Sequence, residues 1–181
     1  FIEVNIQNLA AVPSIVYGIL GLAVFARALA LGQSVITAAL TLALLVLPVI
    51  IISTREALRA VPRNIRDGSL ALGATEWQTA YRQTLPAAIP GIATGTILAL
   101  SRAIGEAAPL LLLGAVSFIT FNPDGVLSDY TTLPIQIFNW TKDSREEFQV
   151  LAAATIVVLL LILLAMNFVA IWIRNKTQKR W

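Results

Sequence analysis

Residues 62–86 read P-R-N-I-R-D-G-S-L-A-L-G-A-T-E-W-Q-T-A-Y-R-Q-T-L-P, a polar, basic stretch set between long apolar runs. Pro62 suits the first turn of a helix, where its missing N–H costs nothing. Gly73 suits the position just past the end of that helix. Thr75 with Gln78 matches a capping box for a following helix with its body at Glu76 to Thr84. Pro86 and Pro90 mark the return to apolar sequence. Such a capped segment is a folded part rather than a slack linker, and a structured basic loop on a membrane protein serves to touch another protein.

The flanks make it a membrane protein. Of 181 residues, 57% are hydrophobic and 13% charged, with mean hydropathy +0.80, against about 25% charged in soluble domains. Val4 to Ala26, Ala28 to Thr54 and Gln149 to Ile173 carry no charge, and Gln83 to Pro123 is interrupted only by Arg102 and Glu106. A hydrocarbon core takes about 20 residues. The expectation is an all-α, polytopic bundle with four spans at roughly 9–31, 34–53, 91–118 and 149–173.

Charge placement gives the topology. The loop after the second span holds Arg55, Arg59, Arg63, Arg66 and Arg82, and the tail holds Arg174, Lys176, Lys179 and Arg180. The third connection is mildly acidic. The positive-inside rule therefore puts the loop (55–90) and the tail (174–181) in the cytoplasm and the 119–148 connection outside. This topology explains the basic residues without a nucleic acid. In the connection, Asn122-Pro123-Asp124-Gly125 signals a turn. Leu133 to Trp140 reads as a short interfacial helix, and Glu146 and Glu147 fit the first turn of the last span. The chain opens Phe-Ile-Glu-Val, with neither Met nor a signal-peptide pattern, so upstream sequence is expected.

The chain has no cysteine and no histidine, which removes disulfides and the commonest metal ligand and general base. No G-x-x-x-x-G-K-[ST] phosphate loop is present. The chain is read as no enzyme, with no metal site and no cofactor of its own.

Two features of the third span stand out. Gly91, Gly95, Ala99, Ala103 and Ala107 form a small-xxx-small ridge for close helix approach, within this chain or with a partner. Arg102 and Glu106 are the ionisable residues inside a span. A central charge costs about 2.5–3.5 kcal/mol, whereas an exposed i,i+4 pair returns about 0.3–0.5 kcal/mol. Either they form an ion pair that fixes packing, or they line a polar pathway. In the second case Arg102 offers its cationic fork to a passing oxyanion and Glu106 neutralises it between passages.

The loop resembles that of ATP-binding-cassette importer permeases, whose pattern is E-A-A, three residues, G, nine residues, I-x-L-P. Gly73 matches the glycine and Leu85-Pro86 the ending, while Asp67-Gly68-Ser69 stands in the E-A-A slot and Gln83 where isoleucine is usual. N-L-A-A-V-P-S-I-V-Y-G-I-L-G-L-A-V-F (8–25), S-R-A-I-G-E-A-A-P-L-L-L-L-G-A (101–115) and L-P-I-Q-I-F-N-W (133–140) resemble phosphate importer permeases of the PstA type. The resemblance covers essentially the whole chain. It implies a type I importer permease of six helices, the last four of them here, in a bacterial or archaeal inner membrane. It also implies partners: a PstC-type permease, two PstB-type ATPase subunits that bind ATP and Mg, and a periplasmic PstS-type binding protein. The coupling surface would comprise Arg63, Arg66, Asp67, Gly68, Ser69, Gly73, Ala74, Leu85 and Pro86, and the translocation path Arg102 and Glu106. A permease for another oxyanion, sulfate or molybdate, and a non-transporting membrane anchor or signalling component are the alternatives.

Overall fold

The computed structural model describes residues 2–115 and 122–177, and every regular element among them is helical. In chain order these are α1 (Ile2–Ala11), α2 (Ser14–Ala28), α3 (Val35–Arg59), α4 (Arg63–Ala71), α5 (Glu76–Ile104), α6 (Ala108–Leu112), α7 (Leu133–Lys142) and α8 (Glu146–Thr177). Three helices, α3, α5 and α8, are long and apolar enough to cross a membrane. Residues 178–181, with Lys179 and Arg180, and the end of the expected third span at 116–118 lie outside the described residues.

The expected first span, 9–31, is a bent pair: α1 and α2 meet at 96° and count as a span only together. Pro13 causes the bend, with φ −56° and ψ 139° just ahead of α2; a proline removes a helical N–H and blocks the turn before it. The carbonyl of Leu9, left over at the end of α1, accepts from the Val12 N–H at 3.2 Å and the Tyr17 hydroxyl at 2.8 Å. Glu3 at the start of α1 pairs with Arg55 at 2.5 Å and Arg59 at 3.7 Å. That fixes the start of α1 at the loop end of α3.

Helix α3 runs past the expected 53 to Arg59 and stops before Val61-Pro62, as expected where the residue ahead of a proline is pushed out of the helical region. Its other end is capped from far along the chain: the Val35 and Ile36 N–H groups donate to the carbonyls of Ser128 and Val126 at 3.1 and 2.8 Å. Beside that cap Ala38, Leu110, Leu113, Tyr130 and Ile135 form a buried cluster. Tyr130 is buried there, and burial pushes its phenol up to about 12.

The centre of the molecule is the α3–α5 seam. Tyr17, Leu45, Val46, Ala99 and Ala103 are buried there together. The ridge predicted on α5 is what closes it: a Cβ on Gly91 would stand 2.8 Å from Ala57 Cβ, and one on Gly95 2.5 Å from Ser53. The ridge therefore packs within the chain through Ala103, whereas Ala107 lies beyond the end of α5. Helix α8 packs on α5 and α7, yet only 6% of its apolar window is buried. Most of its surface is left to lipid or to another subunit.

Candidate functional site

The loop is built from local backbone chemistry. Pro62 caps α4 with φ −56° and ψ 139°, one position earlier than its reading as a first-turn residue. At the other end Gly73 takes φ +86°. Its N–H donates to Leu70 O at 2.9 Å, and the Ala74 N–H donates to Ser69 O at 3.3 Å. This double bond pattern around a left-handed glycine satisfies the orphan carbonyls of α4. Two residues later the Thr75–Gln78 capping box is complete: the Gln78 N–H donates to Thr75 Oγ1 and the Thr75 N–H to Gln78 Oε1.

Two of the loop residues singled out above are partly engaged at home. Arg66 Nη2 donates to Leu58 O at 2.6 Å, placing a cation on the unsatisfied carbonyls that end α3. Ser69 Oγ meets Thr79 Oγ1 at 2.9 Å and ties α4 to α5. Arg63, Asp67, Gly68, Leu85 and Pro86 are exposed, and Ala74 is half-buried. Around them lies apolar surface: Leu72 is 91% and Trp77 77% exposed, with Trp77 stacked on Tyr81 at 6.4 Å. A cleft of about 680 Å³ between α4 and the start of α5 is lined by Arg63, Asp67, Leu70, Trp77 and Tyr81 among others. The loop is thus a rigid, capped platform offering aromatic, aliphatic and charged groups together.

Helix α5 carries this platform into the apolar layer without interruption, so the helix expected to end at Thr84 continues to Ile104. A wide turn at Ala80–Thr84 precedes Pro86, and such a turn makes room for the proline ring against the carbonyl behind it. Thr94 Oγ1 donates to the Pro90 carbonyl at 2.8 Å.

At its far end α5 breaks. The Gly105 and Glu106 N–H groups fold back to Arg102 O and Ala103 O, each at 3.2 Å, and α6 starts only at Ala108. The Arg102–Glu106 helical pair considered from sequence is therefore not formed. Arg102 is in the last turn, Glu106 sits in the break, and among the described residues no ion pair joins either to another side chain. Arg102 is exposed and Glu106 half-buried. The break lies deep: a Cβ on Gly105 would be 3.8 Å from Leu163 Cδ1, and Leu163 is near the middle of the uncharged run 148–173 of α8. Helix α6 continues as a buried plug toward the α2–α3 connection, with Pro109 against Gly18 of α2 and Gly114, just past its end, against Gln33. No group of three or more potential metal ligands occurs among the described residues.

A bent first span, a helix broken in mid-membrane and a structured loop feeding that helix are the frame of a permease. The family model for the inner membrane component of binding-protein-dependent transport systems matches residues 1–179. The chain belongs to that family. Among its relatives, the probable ABC transporter permease protein YqgI of Bacillus subtilis is 34% identical over 99% of this chain and 65% of its own length. The phosphate transport system permease protein PstA 1 of Mycobacterium tuberculosis is 33% identical over 97% of this chain and 58% of its own. PstA of Mycobacterium leprae is 39% identical over 74% of this chain and 43% of its own. The chain thus spans between about two fifths and two thirds of the length of these relatives. No solved structure matches it.

The structure also contains parts that carried no local signal: the Arg66 cap on α3, the Ser128 and Val126 carbonyls on its other end, and the α6 plug. Each depends on a contact between segments distant in the chain or in register.

Proposed function

We propose that the chain is part of the permease subunit of an ATP-driven phosphate importer, in which it forms half of the translocation path with a PstC-type partner. The loop is the seat of a cytoplasmic ATPase dimer that supplies ATP and Mg, and a PstS-type protein delivers phosphate from the other side. The loop and the C-terminus then lie in the cytoplasm. Arg63, Asp67, Gly68, Leu72 and Trp77 are the loop groups left free to meet the ATPase. Arg66 and Ser69 shape the platform from within.

The observation that carries this reading is Arg102. An arginine in mid-membrane costs about 2.5–3.5 kcal/mol, and here no carboxylate among the described residues forms an ion pair with it. It stands exposed at a helix break, the kind of interrupted helix that transporters use at their substrate sites. A fixed, uncovered cation is what a passing oxyanion needs. Glu106, in the break, sets an opposite charge close enough to keep the anion from binding too tightly. The relatives named for phosphate transport supply the choice of anion.

The test is ATP-dependent phosphate uptake into vesicles holding the assembled complex, with sulfate in excess. Uptake that persists under sulfate is expected. Strong sulfate competition would remove the phosphate assignment, and no uptake of any anion would remove the transport reading.

A further inference from the structure

The seam between α5 and α8 holds two oxygens with nothing to bond. Ser101, 7% exposed, and Asn167 each bury one side-chain oxygen without a hydrogen-bond partner, Oγ and Oδ1 respectively. Neighbouring hydroxyls solve the same problem locally: those of Thr94, Thr96 and Thr155 donate to the carbonyl one turn behind. Ser101 does not.

The two residues share a level. Helix α5 ends, and α8 begins, on the side of the α6–α7 cluster, so the two run antiparallel. With Gly105 against Leu163, one turn toward the loop brings Ser101 on α5 opposite Asn167 on α8. Asn167 sits between Leu163 and Ala170 on the stripe of α8 that faces the bundle, and Ala170 is fully buried. Arg102 is the next residue along. A hydroxyl and an amide thus share one level of the seam, and the guanidinium of Arg102 leaves the same turn of α5 on its exposed side. Orphaned polar groups in an apolar seam are costly, and apolar residues of the same shape would be neutral or stabilising.

We propose that Ser101 and Asn167 form an oxyanion subsite beside Arg102, an inference that rests on the phosphate reading above. The serine hydroxyl donates to an anion oxygen, and the Asn167 carbonyl oxygen accepts from the hydroxyl of a protonated phosphate. Sulfate has no such hydroxyl at neutral pH and would set its lone pairs against those of Oδ1. A site built to bond a substrate hydroxyl rejects the analogue without one. Access comes when α5, continuous with the loop, swings away from α8.

The experiment uses the assembled complex in vesicles and compares wild type, Ser101→Ala and Asn167→Leu for phosphate KM, maximal rate, inhibition by sulfate and melting temperature. Each variant should raise the phosphate KM about 10-fold, the loss of roughly one hydrogen bond. Asn167→Leu should also make sulfate a competitor, with melting temperature equal or higher. Unchanged KM and continued exclusion of sulfate would overturn the subsite, as would a lower melting temperature with KM unmoved. If Asn167→Leu does not assemble, Ser101→Ala, which removes one oxygen, decides by the same KM. A wild type that imports phosphate while the variants behave like it overturns this subsite alone. A wild type that imports none overturns the phosphate reading and the subsite with it.

Discussion

Helix α5 joins two regions made in opposite ways. At its loop end the polar backbone finds partners within a few residues: Gly73 and Ala74 close α4, and Thr75 with Gln78 opens α5. At its far end the helix stops at a glycine in the apolar layer. There it leaves an exposed arginine, a carboxylate in the gap and an unbonded serine hydroxyl. Between the two ends, Gly91 and Gly95 lie so close to α3 that a single added carbon would collide. One end has its backbone caps closed locally; the other keeps polar groups unsatisfied where that is most costly. A segment that transmits force needs the first kind of construction, and one that handles an ion needs the second.

Removing the polar group at the far end should have the largest effect. Arg102→Ala in the assembled complex is expected to lower ATP-driven phosphate uptake by two orders of magnitude or more, on the scale of a lost hydrogen-bonded charge pair of about 2–5 kcal/mol. The complex should still purify intact. Normal uptake by that variant would end the pathway role.

The next largest effect belongs to the seam. Gly95→Leu drives a side chain into Ser53 and should cost about 1–3 kcal/mol or more, read as a fall in melting temperature of the complex. Gly125→Ala is its control: nothing lies within 4 Å of a Cβ there, and the melting temperature should move by no more than about 0.5 kcal/mol would shift it. Equal effects at the two glycines would contradict the seam.

Smaller losses should come from the loop. Gly73→Ala forces a side chain into φ +86°, at about 1–2 kcal/mol. Thr75→Ala removes the capping box, at about 1 kcal/mol. Both should also weaken co-purification of the ATPase if the loop is its seat, measured by pull-down at matched expression. Smallest of all is a pH effect outside the membrane. Arg145 bonds Asp143 at 2.8 Å and holds its carboxyl down at about 2. A lowered carboxylate contributes stability that is complete above its ordinary value of 3.8 and lost as pH falls through about 2. The Asp143→Asn variant should therefore show a flatter acid limb of melting temperature against pH.

The same contrast explains what could be read from the sequence. Gly73 and the Thr75–Gln78 box act through partners within a few residues, so their types and spacing fix the loop before any packing is known. The ridge on α5 and the starts of α7 and α8 were legible for a similar reason: they follow from periodicity and first-turn charge. The break at Gly105 was not. Ala107 to Leu113 is as apolar as a helix interior, and it is Pro109 seating against Gly18 of α2 that turns this stretch into a plug. The bend at Pro13 was visible as a proline in a span, but its 96° depends on Tyr17 reaching back to Leu9. The cap on the start of α3 comes from residues 126 and 128, about half the chain away in sequence. Arg102 and Glu106 were legible as charges in the wrong solvent. Their separation by the end of the helix was not.

Helix α5 runs unbroken from the loop to the break, and a spin-label distance tests directly whether it moves as one body. The chain has no cysteine, so labels can be placed at Tyr81→Cys and Leu98→Cys, both exposed positions on α5. Their backbones should lie about 26 Å apart along the helix. The distance distribution is expected to stay fixed between nucleotide-free and ATP-trapped complexes, while the distance from Leu98→Cys to a label at Leu164→Cys on α8 shifts. A change of a helical turn or more within α5 itself would contradict the rigid link between the loop and Arg102.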